Sequence, residues 1–133
     1  MFKRMVLCVT EATPEDVVQI AIRLCSKDTK VHALHVVRLL TDFAKKDSME
    51  RFSWVTAALE KKGLKNQLEI IESTDVGKAI VSFTKKNSCD VIVTGTIPRK
   101  GLLGAFSESV SDYIVKYAPC TVILVRKSDL PAR

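Results

Sequence analysis

The sequence predicts an α/β domain: a five-stranded parallel sheet covered by helices on both faces. Three observations carry that prediction. Short runs rich in β-branched residues alternate with segments of helical spacing along the chain. The first, fourth and fifth runs are almost wholly apolar, as strands covered on both faces must be. The helical segments between runs are long enough for crossovers, which are right-handed almost without exception and make the sheet parallel.

Arg4 to Val9 (RMVLCV) is the first predicted strand. The helix after it shows an apolar stripe at Val17, Ile20, Ala21 and Leu24, with Thr13 expected as its cap, Pro14 at the first helical position and Asp16 near the place of a capping-box acid. Val31 to Val37 (VHALHVV) is the second strand. One helix is then expected through Met49, Phe52, Val55 and Leu59, with Gly63 where it should stop. Gln67 to Ile71 (QLEII) is the third strand, followed by a helix starting near Thr74 or Asp75 with Val76, Ala79, Ile80 and Phe83 facing inward. Val91 to Thr94 (VIVT) is the fourth strand. The last helix carries Val110, Tyr113, Ile114 and Tyr117, ends before Pro119, and leads into the fifth strand, Thr121 to Val125 (TVILV).

A chain of 133 residues without linker or repeat is expected to be one domain, residues 1–133. No apolar run is long enough to span a bilayer, and the opening MFKRMVLCV meets TEATPED before a signal-peptide core forms, so a cytoplasmic protein without membrane contact is expected. The net charge of +6 falls at the ends of separate elements, without aromatic interleaving, so no nucleic-acid partner is expected. Cys8, Cys25, Cys89 and Cys120 are too widely spaced for a CxxC pair and are expected as reduced, packed thiols. His32 and His35, three apart on a strand, point to opposite faces and are not expected to chelate a metal together.

In parallel sheets of this kind ligands bind beyond the carboxyl ends of the strands, where the strand order reverses. The loops after Val9, Val37 and Thr94 therefore form the candidate site. The third runs TGTIPRKGLLGAFSES, a glycine-rich stretch between a strand and a helix. Its glycines match neither a Walker loop nor a dinucleotide fingerprint.

Four pieces of the chain resemble the universal stress proteins: VLCVTEAT at Val6 to Thr13, ALHVV at Ala33 to Val37, DVIVTGT at Asp90 to Thr96, and SESVSDYIVKYAPCTVILV at Ser107 to Val125. The resemblance covers essentially the whole chain and implies the strand order 3-2-1-4-5, which periodicity alone does not supply. Many members of that family bind ATP through a motif of glycine, two residues, glycine, nine residues, glycine, then serine or threonine. Gly95 matches the first glycine and Ser109 the hydroxyl, but Pro98 and Glu108 replace the other two glycines. On the adenine side, Glu11 stands at the family's aspartate position and Val36 at the valine whose backbone meets the base. The resemblance thus implies a candidate nucleotide site of Glu11, Val36, Gly95, Thr96, Arg99, Lys100, Ser109 and Val110, with its base half kept and its phosphate half eroded.

Elementary physics supports that division. Proline offers no N–H and denies the backbone freedom that glycine gives a phosphate loop. A carboxylate about 4 Å from a phosphate charge costs about 1 kcal/mol in water and about 4 kcal/mol in a less polar pocket, while one hydrogen bond returns only about 1 kcal/mol. Glu108 also suits the start of a helix, whose dipole favours an acidic side chain. The expected function is a non-catalytic, universal-stress-type regulatory module with weak or lost ATP binding. The alternative is an adenine-nucleotide binder, for ATP or AMP, using the same crevice. A catalytic Cys8 is disfavoured because burial suppresses the thiolate. A fully apolar fifth strand (Thr121, Val122, Ile123, Leu124, Val125) at a sheet edge predicts pairing with a second copy, and the family resemblance also implies a homodimer.

Overall fold

The computed structural model describes residues 1–96 and 108–126. The elements run β1 (Arg4–Cys8), α1 (Glu15–Arg23), β2 (Lys30–Val37), α2 (Asp42–Arg51), α3 (Ser53–Lys61), β3 (Lys65–Glu72), α4 (Val76–Lys86), β4 (Val91–Thr96), α5 (Glu108–Tyr117) and β5 (Thr121–Arg126). All five strands are parallel, in the order β3-β2-β1-β4-β5. The five runs read from the sequence are these strands, each bounded within two residues of its expected ends.

The pleat divides the core into two layers. Met5, Leu7, Val31, Ala33, Val91 and Val93 pack with α1 and α3 through Val17, Val18, Phe52, Val55 and Leu59. Val6, Cys8, Leu34 and Ile92 face the other way, onto Ile80 and Val81 of α4 and Ile114 of α5. Alternate residues of one strand thus serve opposite layers, so both faces must be apolar. Gly77 permits the close crossing of α4 and α5: a Cβ there would stand 3.1 Å from the Tyr113 Cβ.

Local details depart from expectation in four places. The second crossover is two helices, α2 and α3, broken at Phe52, whose φ of −102° and ψ of 14° leave the helical region. The break turns Phe52 fully inward and leaves Met49 40% exposed, so the stripe does not continue through Met49. Thr13 does not cap α1. Its Oγ1 accepts from the Thr10 N–H at 2.9 Å, and Pro14 occupies the cap position without a side-chain bond, so no capping box forms. Tyr117 is 51% exposed and lies against the Tyr113 ring instead of the core. Elsewhere the end signals act as read: Asp75 accepts from the Lys78 N–H at the start of α4, and Gly63 takes a φ of 72° just after α3.

Candidate functional site

The strand order reverses between β1 and β4, so the crevice lies beyond their carboxyl ends, flanked by the chain after β2. The turn after β1 is built by two threonines. Thr13 N–H donates to the Thr10 carbonyl at 3.0 Å, and the Ala12 N–H donates to Thr10 Oγ1 at 3.1 Å. This turn presents Glu11 outward, where its carboxylate accepts from Arg51 Nη1. Arg51 Nη2 also donates to Asp47 Oδ2, one turn earlier on α2, at 2.9 Å. The sequence reading missed Arg51. Its position at the end of α2, directly before the buried break at Phe52, places it beside Glu11, 40 residues away in the chain.

Val36 is positioned by ladder alternation. Lys30 N–H donates to the Lys3 carbonyl and the Leu34 carbonyl accepts from the Val9 N–H, so even-numbered residues of β2 turn their backbone groups toward β1. The Val37 carbonyl accepts from Ser73 N–H on the β3 side. The last β1 pair is Cys8 with Leu34, so the backbone of Val36 points past the end of β1 into the crevice. That is the orientation needed for main-chain contact with a flat heterocycle.

A histidine also stands beside the end of β1 at this site. His35 Nδ1 lies 2.9 Å from the Val9 carbonyl, and because a carbonyl only accepts, Nδ1 carries the proton. Its ring lies 4.6 Å from that of Phe52, in the α2–α3 layer. His32 faces the opposite layer, with Nδ1 2.7 Å from Glu69 Oε2 and its ring edge-on to Phe83. The two imidazoles occupy opposite faces. Among the described residues no cluster of three or more His, Cys, Asp or Glu side chains could hold a metal ion.

Gly95 lies inside β4, paired with Val125 of β5, and its φ is outside the left-handed region. A Cβ at this position would stand 3.1 Å from Val17 Cγ2 on α1. The first motif glycine therefore lies where the close approach of α1 to the sheet leaves little room for a side chain. Thr96 closes β4, Glu108 and Ser109 open α5, and Val110 is half-buried against the α4–α5 layer. Pro98, Arg99 and Lys100 lie outside the described residues, as do Gly101, Gly104 and Ser107. A cleft of about 260 Å³ runs along α1, from Pro14 and Asp16 through Val17 and Ile20 to Arg23, beside Val125 and Arg126 at the end of β5, and adjoins Gly95 through Val17.

Cys8 is fully buried beneath the site. Burial pushes its thiol up to about 12, eased slightly by a hydrogen bond with Thr94. It is therefore a neutral thiol at any physiological pH.

The comparisons with known proteins agree with this architecture. The Universal stress protein family profile matches residues 1–126. Universal stress protein MJ0531 of Methanocaldococcus jannaschii is 29% identical, over 75% of this chain and 66% of its own length. Among solved structures, hypothetical protein MJ0577 superposes with a TM-score of 0.81 at 17% identity, over 98% of this chain and 99% of that one. The universal stress protein from Archaeoglobus fulgidus, solved in complex with dAMP, gives 0.71 at 21% identity, over 92% and 96%. With the family profile covering all but the last residues and the strand order agreeing, this chain belongs to the universal stress protein family.

Proposed function

We propose that this chain is a non-catalytic regulatory module of the universal stress type whose strand-end crevice engages the adenosine part of an adenine nucleotide and holds its phosphates weakly. The orientation of the Val36 backbone carries the proposal: β1 ends at Cys8, and the main chain of β2 turns outward where a base would lie. Glu11 stands at the same end of the sheet, its carboxylate held by Arg51, whose other guanidinium nitrogen donates to Asp47. The A. fulgidus relative, solved with dAMP, supports a nucleotide of one phosphate as ligand. The motif residues Pro98 and Glu108 oppose a triphosphate, for the charge and backbone reasons given above. Catalysis is not part of the proposal, since His35 is held by a carbonyl, not a carboxylate, and Cys8 is buried as a neutral thiol.

Association into a homodimer through β5 belongs to the same proposal. This strand lies at the sheet edge, with Leu124 41% exposed beside the half-buried Val122 and Ile123. Residence in the cytoplasm also belongs to it; no helix among the described residues is long and apolar enough to cross a membrane.

Calorimetric titration with adenosine, AMP and ATP tests the binding reading, beside a Pro98→Gly/Glu108→Gly variant. Adenosine should bind the natural protein within a few-fold of ATP, and only the variant should prefer ATP. A natural protein that binds ATP far more tightly than adenosine, or releases phosphate from it in a Ser109-dependent burst, overturns the proposal. Sedimentation as a monomer at tens of micromolar removes the dimer.

A further inference from the structure

A circuit of contacts joins three separate parts of the chain around the base half of the crevice. His35, directly before Val36 on β2, donates from Nδ1 to the Val9 carbonyl at 2.9 Å, just past the end of β1. On its other side the imidazole lies 4.6 Å from the ring of Phe52, which is buried at the break between α2 and α3. Arg51 directly precedes Phe52, and its Nη1 donates to the Glu11 carboxylate on the turn that follows β1. The circuit thus runs through Val9, His35, Phe52, Arg51 and Glu11, and returns to Val9 along the backbone. Glu11 belongs to it, and Val36 is bonded directly to one of its members.

The turn fixes the backbone of Glu11, since the Thr10 N–H donates to Thr13 Oγ1 at 2.9 Å and the Ala12 N–H to Thr10 Oγ1 at 3.1 Å. It does not fix the side chain, which has one rotatable bond more than an aspartate and is 64% exposed. Among the described residues only Arg51 bonds this carboxylate, at Oε2, which leaves Oε1 open to a donor. Arg51 is itself oriented: Nη2 donates to Asp47 Oδ2 at 2.9 Å, four residues earlier on α2, so the planar guanidinium sets one nitrogen on each carboxylate. A side chain already held at its working position loses less rotamer freedom when a ligand arrives.

We propose that Arg51 is a positioning residue of the crevice: it holds the Glu11 carboxylate so that the second oxygen meets a donor group of the adenosine, and does not touch the nucleoside itself. The inference rests on the reading of this crevice as an adenosine site. Arg51 does not serve a phosphate, because two carboxylates share its one guanidinium and the cluster is negative overall, which attracts hydrogen-bond donors and repels anions. The contact is open to solvent, with Arg51 46% and Glu11 64% exposed, so salt weakens it.

Calorimetric titration with adenosine tests this in a cycle of the natural protein, Arg51→Met, Glu11→Ala and the double variant, with urea unfolding to show that each is folded. Arg51→Met should weaken adenosine about threefold, the size expected of an exposed ion pair, and should change nothing further once Glu11→Ala is in place. Adenosine carries no charge, so a salt dependence that distinguishes the natural protein from Arg51→Met comes from the pair. Raising sodium chloride from about 0.1 M to about 1 M shortens the Debye length from about 10 Å to about 3 Å, and should weaken adenosine about twofold for the natural protein but not for Arg51→Met. A loss in Arg51→Met that persists in the Glu11→Ala background assigns Arg51 to direct ligand contact or to the fold and overturns the proposal. Equal affinity of Arg51→Met and the natural protein, or the same salt dependence in both, overturns it as well, and the adenosine reading then stands without it. A natural protein that binds no adenosine removes the crevice reading itself, and the positioning role with it.

Discussion

Replacing Gly95 with alanine separates a packing role from a ligand role for the first glycine of the motif. The added Cβ stands 3.1 Å from Val17 Cγ2, so one side must give by a few tenths of an ångström. Val17 is β-branched, sits on a helix and is 1% exposed, so its side chain has one strongly preferred rotamer and no free space to enter. Overpacking of this kind costs about 1–3 kcal/mol. Against it, alanine restricts the unfolded chain and recovers about 0.4–1 kcal/mol, with no backbone penalty because φ is not left-handed. The net expectation is a loss of about 1 kcal/mol, which a urea slope of about 2 kcal/mol/M turns into a midpoint shift of about 0.5 M. Val17→Ala loses burial of its own, but in the double variant the clash disappears, so the two changes should couple favourably by about 1 kcal/mol. Urea unfolding of all four proteins gives the cycle. If Gly95→Ala leaves the midpoint unchanged, or the coupling is zero while adenosine binding is lost, the glycine serves the ligand and the packing argument is wrong.

Two further expectations follow from buried groups. His32 is 6% exposed and its Nδ1 faces Glu69, while Nε2 has no hydrogen-bond partner among the described residues. Glu69→Leu leaves the ring with a second unsatisfied nitrogen and should cost about 1–3 kcal/mol by chemical denaturation, with His32→Phe/Glu69→Leu recovering much of that loss; an unchanged midpoint in Glu69→Leu refutes this account. The Cys8 thiol is raised from 9.0 to about 12 in the fold, so above pH 9 the unfolded chain holds fewer protons than the native one and stability falls as pH climbs from 9 to 12. Cys8→Ala should flatten that part of the stability profile, and equal slopes for the two proteins would show that Cys8 does not contribute.

Much of the fold was legible because its signals are local. The apolar runs at Met5 to Val9 and Val91 to Val93 have no polar side, which only a strand buried on both faces tolerates. Gly63 and Asp75 mark helix ends through their own backbone preference and side-chain reach, and both act where the sequence puts them. The opposition of His32 and His35 follows from a repeat of two. At the site, the sequence indicated that the strand ends of β1 and β4 bound the crevice, and the family resemblance named Glu11, Val36 and Gly95 as its expected residues.

What it withheld are contacts between distant segments, where local preference is overruled. Thr13 has the chemistry of a cap, yet the Thr10 turn claims its hydroxyl. Met49 keeps helical spacing with Val55, but burying Phe52 against His35 breaks the helix between them and turns Met49 outward. Composition, periodicity and end signals by themselves determined five strands alternating with helical segments, because each depends on neighbours a few residues away, whereas the strand order that fixes the crevice came from the family resemblance. The Arg51 contact to Glu11 and the close approach of Val17 to Gly95 were decided only by tertiary structure. Each joins residues that nothing in local spacing relates until the sheet brings them side by side.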